Sequence, residues 1–256
     1  MRSRARTPPA PLVALAAGAV VGLLAVPAHA GPRIVKESLQ YLGGTRTYYL
    51  YAPESPPAEG APLLLVFHGS RRNGLSLVER WTKLADQHRF IVAGLDSHDS
   101  QVWGIPADGP EVVKALVEAL QGRYRIDDRR LYLFGHSAGA AFVLKLGLIQ
   151  SQYFAAGAVH AGAFRQSGEF EAIDFARRKI PLKVIVGDRD EFFPLTSVNA
   201  TVEALKTREF PVELEVVKRH DHWYYDRAQV FNQSAWSFLA AHELEAAPAW
   251  TEYRFE

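Results

Sequence analysis

The chain has no cysteine. Disulfides, thiolate metal sites, a cysteine nucleophile and lipid modification of an N-terminal cysteine are therefore all excluded. Charge of one sign is also missing, with 29 basic against 28 acidic residues. Such a balance leaves no basic footprint for nucleic-acid phosphates. Glycine and proline, at 19 and 15 of 256 residues, are too few for a collagen-like or low-complexity chain, and 48% hydrophobic residues exclude full disorder. A long apolar run is absent too. The stretch 12–26 is uninterrupted Ala, Val, Leu and Gly, but it falls short of the ~20 residues that span a bilayer as a helix.

Its flanks give that stretch a meaning. Arg2, Arg4 and Arg6 precede it and Ala28-His29-Ala30 follows. These are the basic head, apolar middle and small-x-small cleavage site of a secretory signal peptide, expected over residues 1–30. An uncleaved membrane anchor is the alternative. Three of the 29 basic residues and none of the 28 acids lie in this segment, so the remainder carries a formal charge of −2. An exported chain without cysteine must draw its stability from its core.

From residue 34 onward, strand and helix signals alternate. Segments 34–39 and 45–51 read as two strands around Gly43-Gly44, an antiparallel hairpin. Residues 63–67 are a continuous apolar run of strand length, as in strands buried on both faces. Helical spacing follows over 77–88, 111–120, 138–149, 196–205 and 229–243, with further strands at 90–95, 131–134, 154–159, 182–186 and 212–217. This alternation predicts one α/β domain, a mostly parallel sheet with helices on both faces.

The strongest motif is Gly135-His136-Ser137-Ala138-Gly139, a G-x-S-x-G between a strand and an apolar helix. The glycines permit a turn tight enough to lift the Ser137 hydroxyl out of the sheet. The Ala138 amide then lies at the helix N-terminus, aimed at a developing oxyanion. In this arrangement an acid and then a histidine should follow. Asp190, in Gly187-Asp188-Arg189-Asp190 just past a strand, is the expected acid, with Asp188 as the competitor. His222, in Arg219-His220-Asp221-His222-Trp223 after the last strand, is the expected base, and His220 is read as a solvated loop residue. The His-x-His spacing has no third ligand beside it, so no metal is expected.

A second oxyanion donor should come from the loop after an early strand. Gly69 permits the bend in Phe67-His68-Gly69-Ser70, and the Ser70 amide is the candidate, with His68 bracing the loop. His160 reads as structural or as a cleft-lining residue, and His88, His98 and His242 as surface or loop residues. Trp103, Phe192 and Trp223 are the candidate substrate-binding aromatics, with Phe193, Tyr224 and Tyr225 beside them.

With these residues placed, the sequence resembles the α/β-hydrolase superfamily. Within it, the chain is similar to secreted polyhydroxybutyrate depolymerase-like and feruloyl or acetylxylan esterase-like enzymes. The resemblance runs from Thr45-Arg46-Thr47-Tyr48 through Leu65-Val66-Phe67-His68-Gly69, Tyr124-Arg125-Ile126-Asp127 and the elbow to Asp221-His222-Trp223-Tyr224-Tyr225. It implies a catalytic domain over residues 31–256 with a Ser-His-Asp triad, no cofactor and a small-molecule ester as partner. Two departures stand out. Ala140 occupies a position where many members have glycine. The absence of cysteine, and of a further domain after the catalytic one, points to a small soluble ester rather than a polymer. A serine peptidase on the same fold and a non-catalytic exported binding protein are the rival readings.

Overall fold

The computed structural model describes residues 33–42 and 44–252. The leader expected over residues 1–30 lies outside them. In chain order the elements are β1 (Val35–Tyr41), β2 (Gly44–Tyr51), β3 (Ala61–Phe67), α1 (Gly74–His88), β4 (Ile91–Leu95), α2 (Pro110–Gln121) and β5 (Ile126–His136). There follow α3 (Ala138–Ile149), β6 (Ala156–His160), a single helical turn α4 (Ser167–Phe170), β7 (Leu182–Gly187), α5 (Leu195–Thr207), β8 (Val212–Val217) and α6 (Ala228–Leu239). The strands form one sheet in the order β1-β2-β4-β3-β5-β6-β7-β8. β2 runs antiparallel to β1 and β4, and β3 to β8 are mutually parallel, as the alternation predicts.

Parallel neighbours need crossovers, and the helices that supply them cover both faces of the sheet. Successive residues of β3 show how. Leu63, Leu65 and Phe67 join the core under α2, α3 and α5, while Leu64 and Val66 join the core under α1 and α6. Both sides of that strand are therefore apolar. Helix α1 illustrates the local logic: Asn73 caps it by accepting from the Ser76 amide at 3.2 Å. Leu77, Val78, Trp81, Leu84 and Ala85 then recur at helical spacing on the buried side. Trp81 is fully buried, and its replacement by alanine should cost ~3–5 kcal/mol.

The two largest boundary differences from the sequence expectation are in β5 and α6. β5 starts at Ile126 rather than 131, because Ile126 pairs with Ala61 ahead of a register shift while the intervening residues are polar. α6 stops at Leu239 rather than 243. There the chain turns back to β5, where the His242 carbonyl accepts from Tyr132 Oη at 2.7 Å and the Leu244 amide donates to Arg129 at 3.0 Å. No helix among the described residues is long and apolar enough to cross a membrane.

The sheet order places β4 on one side of β3 and β5 on the other. Connections leaving the carboxyl ends of β3 and β5 diverge, and such a switch point opens a crevice.

Candidate active site

At that crevice β5 runs into α3 through the G-x-S-x-G turn. A Cβ on Gly135 would lie 2.3 Å from the Gly139 carbonyl oxygen, and one on Gly139 would lie 2.0 Å from that of Phe67. Only glycine lets strand and helix approach this closely. Ser137 between them has φ 57° and ψ −119°, a conformation that stores strain in a residue with a side chain. Its amide is tied to the His160 carbonyl at 3.0 Å. Ala140, the departure noted above, fits because Gly162 faces it, where a Cβ would meet Ala140 Cβ at 2.4 Å.

The three principal candidates form one hydrogen-bonded row. Ser137 Oγ lies 2.8 Å from His222 Nε2, and His222 Nδ1 lies 2.9 and 3.1 Å from the two Asp190 oxygens. Asp190 Oδ1 also accepts from the Phe192 and Phe193 amides at 2.9 and 2.8 Å. Burial alone would raise the Asp190 pKa, but the His222 bond and the two amides outweigh it and hold the carboxyl below its ordinary value. An ionised carboxylate can only accept, so His222 Nδ1 carries the proton and Nε2 is left to accept from the Ser137 hydroxyl.

Asp188, the competing acid, instead accepts from the Arg219 amide at 2.6 Å and fastens the β7 turn to the loop after β8. His220 is not the solvated loop residue expected: it is 4% exposed. Its Nε2 lies 3.1 Å from His160 Nε2, and His160 Nδ1 lies 3.1 Å from His136 Nδ1. The two histidines of the His-x-His pair thus belong to different rows. His160 is fully buried and structural, while His88 and His98 are exposed and His242 half-buried.

Ser70 and Ala138 share a cavity of about 380 Å³ with Ser137. Ala138 opens α3, where the first amides have no acceptor inside the helix. His68 is buried and braces the Ser70 loop. Its Nδ1 is 2.8 Å from the Gly69 carbonyl oxygen, its Nε2 accepts from the Ser97 amide at 3.1 Å, and burial lowers its pKa. The Ser70 hydroxyl donates to the Gln101 carbonyl at 2.6 Å.

The aromatic candidates divide between two hollows. Trp103 and Phe192 line the Ser137 cavity, together with Phe193. Trp103 is otherwise a core residue, its Nε1 donating to the His68 carbonyl at 2.8 Å. Trp223 does not reach this cavity. It lines an adjoining hollow of about 550 Å³ with Arg189, Glu191, Phe192, Asp221 and His222. Tyr224 is fully buried and belongs to the core.

Sequence reasoning missed the polar wall of the Ser137 cavity, made by Gln101, Lys145, Arg165, Gln166 and Glu169. Lys145 had a signal: it is the one charged residue in the apolar helix α3. Ala138, Ala141, Phe142 and Lys145, spaced as one helix face, all line the cavity. Arg165 and Glu169 sit in a short irregular stretch with no periodicity to mark them.

Residues 87–242, more than half of the chain, match the phospholipase/carboxylesterase family. The matched region includes Ser137, Asp190 and His222 but not Ser70. NocK of Nocardia uniformis subsp. tsuyamanensis, named as an esterase, is 30% identical over 61% of this chain and 48% of its own. Poly(3-hydroxyalkanoate) depolymerase C of Paucimonas lemoignei is 27% identical over 46% of this chain and 32% of its own. The chain thus spans less than half the length of these relatives. In overall shape it is similar to a solved ferulic acid esterase, with TM-score 0.67 and 16% identity over 82% of this chain and 98% of that one. That likeness identifies the α/β-hydrolase fold, and the match over residues 87–242 makes the chain a member of the phospholipase/carboxylesterase family.

Proposed function

We propose that the protein is an exported serine ester hydrolase acting on a small or medium-sized soluble ester through an acyl-enzyme. His222 Nε2 takes the Ser137 proton as Oγ attacks the ester carbonyl. Asp190 holds the tautomer that makes this possible and stabilises the imidazolium that forms. The Ala138 and Ser70 amides bind the oxyanion. His222 then returns the proton to the departing alcohol, and water attacks the acyl-enzyme by the same route. Family membership supports the reaction class, and the leader pattern of residues 1–30 supports export. A cavity of about 380 Å³ suits a small acyl group.

The observation that carries the reading is the 2.8 Å contact between Ser137 Oγ and a histidine whose other nitrogen faces a carboxylate buried in the fold. A p-nitrophenyl ester series from acetate to palmitate, with a feruloyl ester, tests it. Turnover should fall by at least about 10⁴ in Ser137→Ala with the fold unchanged. Equal rates in the two proteins would overturn the assignment. No turnover, but labelling of Ser137 by a fluorophosphonate, would shift the reading to a peptidase; no labelling would favour a binding protein.

A further inference from the structure

The polar wall of the Ser137 cavity is not electrically balanced. Lys145 is neutralised by Glu169, whose Oε1 lies 2.9 Å from Nζ. Glu169 Oε2 accepts from the Arg165 and Gln166 amides at 2.6 and 3.2 Å. Although burial works against its charge, these amides and Lys145 hold the Glu169 pKa below its ordinary value. Arg165 is different. No ion pair among the described residues includes its guanidinium, which lies 4.0 Å over the Phe193 ring and donates to the Phe192 carbonyl. One donation leaves most of its five N–H groups free. Arg165 is exposed, but its backbone amide is held by Glu169 and its head by a ring and a carbonyl, which reduces the side-chain freedom lost on binding.

The two hollows bear on which part of an ester would meet it. Ser137, Ala138 and Ser70 line the cavity that contains Arg165. His222, which would protonate the departing alcohol, lines the adjoining hollow with Trp223, and Phe192 divides the two. An ester whose alcohol departs past His222 toward Trp223 would place its acyl side toward Arg165. Phe193 links this cation to the reaction centre, since its ring also stacks on the His222 ring at 5.9 Å and 15°.

We propose that Arg165 is an anion subsite for the acyl portion, and that the preferred substrates are esters whose acyl chain ends in a carboxylate. The proposal rests on the hydrolase reading and names the substrate class of that site.

Mono-p-nitrophenyl adipate and p-nitrophenyl hexanoate test it, because they share leaving group and acyl length and differ in a terminal carboxylate against a methyl. The full chain should favour the adipate in kcat/KM by about tenfold, as a charge-assisted contact at a partly open site gives. The preference should reside in KM, since the contact is the same in ground and transition states, and should weaken with salt. In Arg165→Gln the ratio should fall to about one, and Arg165→Lys should keep part of it. A wild-type ratio of one or less, or a preference that survives Arg165→Gln, overturns the subsite. Those results leave hydrolysis standing if the hexanoate is turned over. Turnover of neither ester overturns the hydrolase reading and this proposal with it.

Discussion

Two rows of hydrogen-bonded side chains lie side by side at the carboxyl end of the sheet, one centred on a single imidazole and the other made of three. One is Ser137–His222–Asp190 and the other His136–His160–His220. They are interleaved in the chain, for His136 precedes Ser137, His220 lies two residues before His222, and the His136 and His222 rings are 5.1 Å apart. What separates them is one carboxylate. The first row ends on Asp190, which in the proposed reaction would stabilise the positive charge that forms on His222. The second contains no acid and is sealed from solvent. Burial first, then the neighbouring His222 imidazole, pushes His136 down to about 3, and burial holds His160 and His220 below their ordinary value as well. A neutral imidazole has one donor and one acceptor, so His160 can serve both neighbours only by donating to one and accepting from the other. The same residue type is equipped to move protons in one row and serves as a cross-brace in the other. Surroundings decide which.

The sharpest way to break the comparison is to make the first row resemble the second. In Asp190→Asn the amide can donate to His222 Nδ1, turning the proton toward Nε2 and leaving nothing to accept from Ser137. A loss of about 10⁴ in kcat is expected with little change in Tm, read from p-nitrophenyl acetate hydrolysis beside a thermal melt. Asp188→Asn, by contrast, removes only the charge from the acceptor of the Arg219 amide and should cost less than about tenfold. Equal losses in the two variants would mean the acid has been misassigned.

Breaking the second row should act on stability before rate. His160→Leu keeps the volume but strips the partners from His136 Nδ1 and His220 Nε2, both in buried residues. Leaving such groups unpaired costs about 1–3 kcal/mol each. The expected fall in Tm is about 5–10 °C. Because the row ties the residue before Ser137 to the loop carrying His222, kcat should drop by about tenfold as that contact lengthens. A variant as stable as the parent would show that the row braces nothing.

How much of this could be seen beforehand follows from where each constraint is written. The elbow was legible because only glycine permits contacts as close as those at Gly135 and Gly139. The parallel sheet was legible because β3 must be apolar on both faces. Asp188 stayed a competitor to Asp190 in sequence, since both sit on the same tight turn. They part company through the Phe192 and Phe193 amides, a backbone feature that no side-chain pattern records. His220 was misread for a related reason: its burial depends on His160 and on the ring of Phe231, distant in sequence or on another element. Glu169 gave no signal because α4 is a single turn too short for periodicity, and Arg165 lies in the loop just before it.

The mildest test uses pH, first on the parent protein and then on His160→Leu. His136, His160 and His220 are neutral in the fold and regain an ordinary value near 6.5 when it opens. Below that value the unfolded chain binds more protons than the native one, so stability falls as pH drops from 6.5 toward 3 and is level above 6.5. Buried His68 and half-buried His242 act in the same direction. Asp190 adds to the loss only lower down, since its depressed pKa contributes stability above 3.8 that disappears as pH falls through the folded value. Asp221 and Asp190, the carboxylates that favour charged His220, oppose the trend without reversing it. Between pH 7 and 6 the expected loss is on the order of 1 kcal/mol, or about 2–4 °C in Tm. In His160→Leu one titrating imidazole is gone, so the decline should be shallower than in the parent. Parallel slopes in the two proteins would show that His160 is protonated alike in the folded and unfolded chain, and the contrast between the rows would then rest on hydrogen bonding alone.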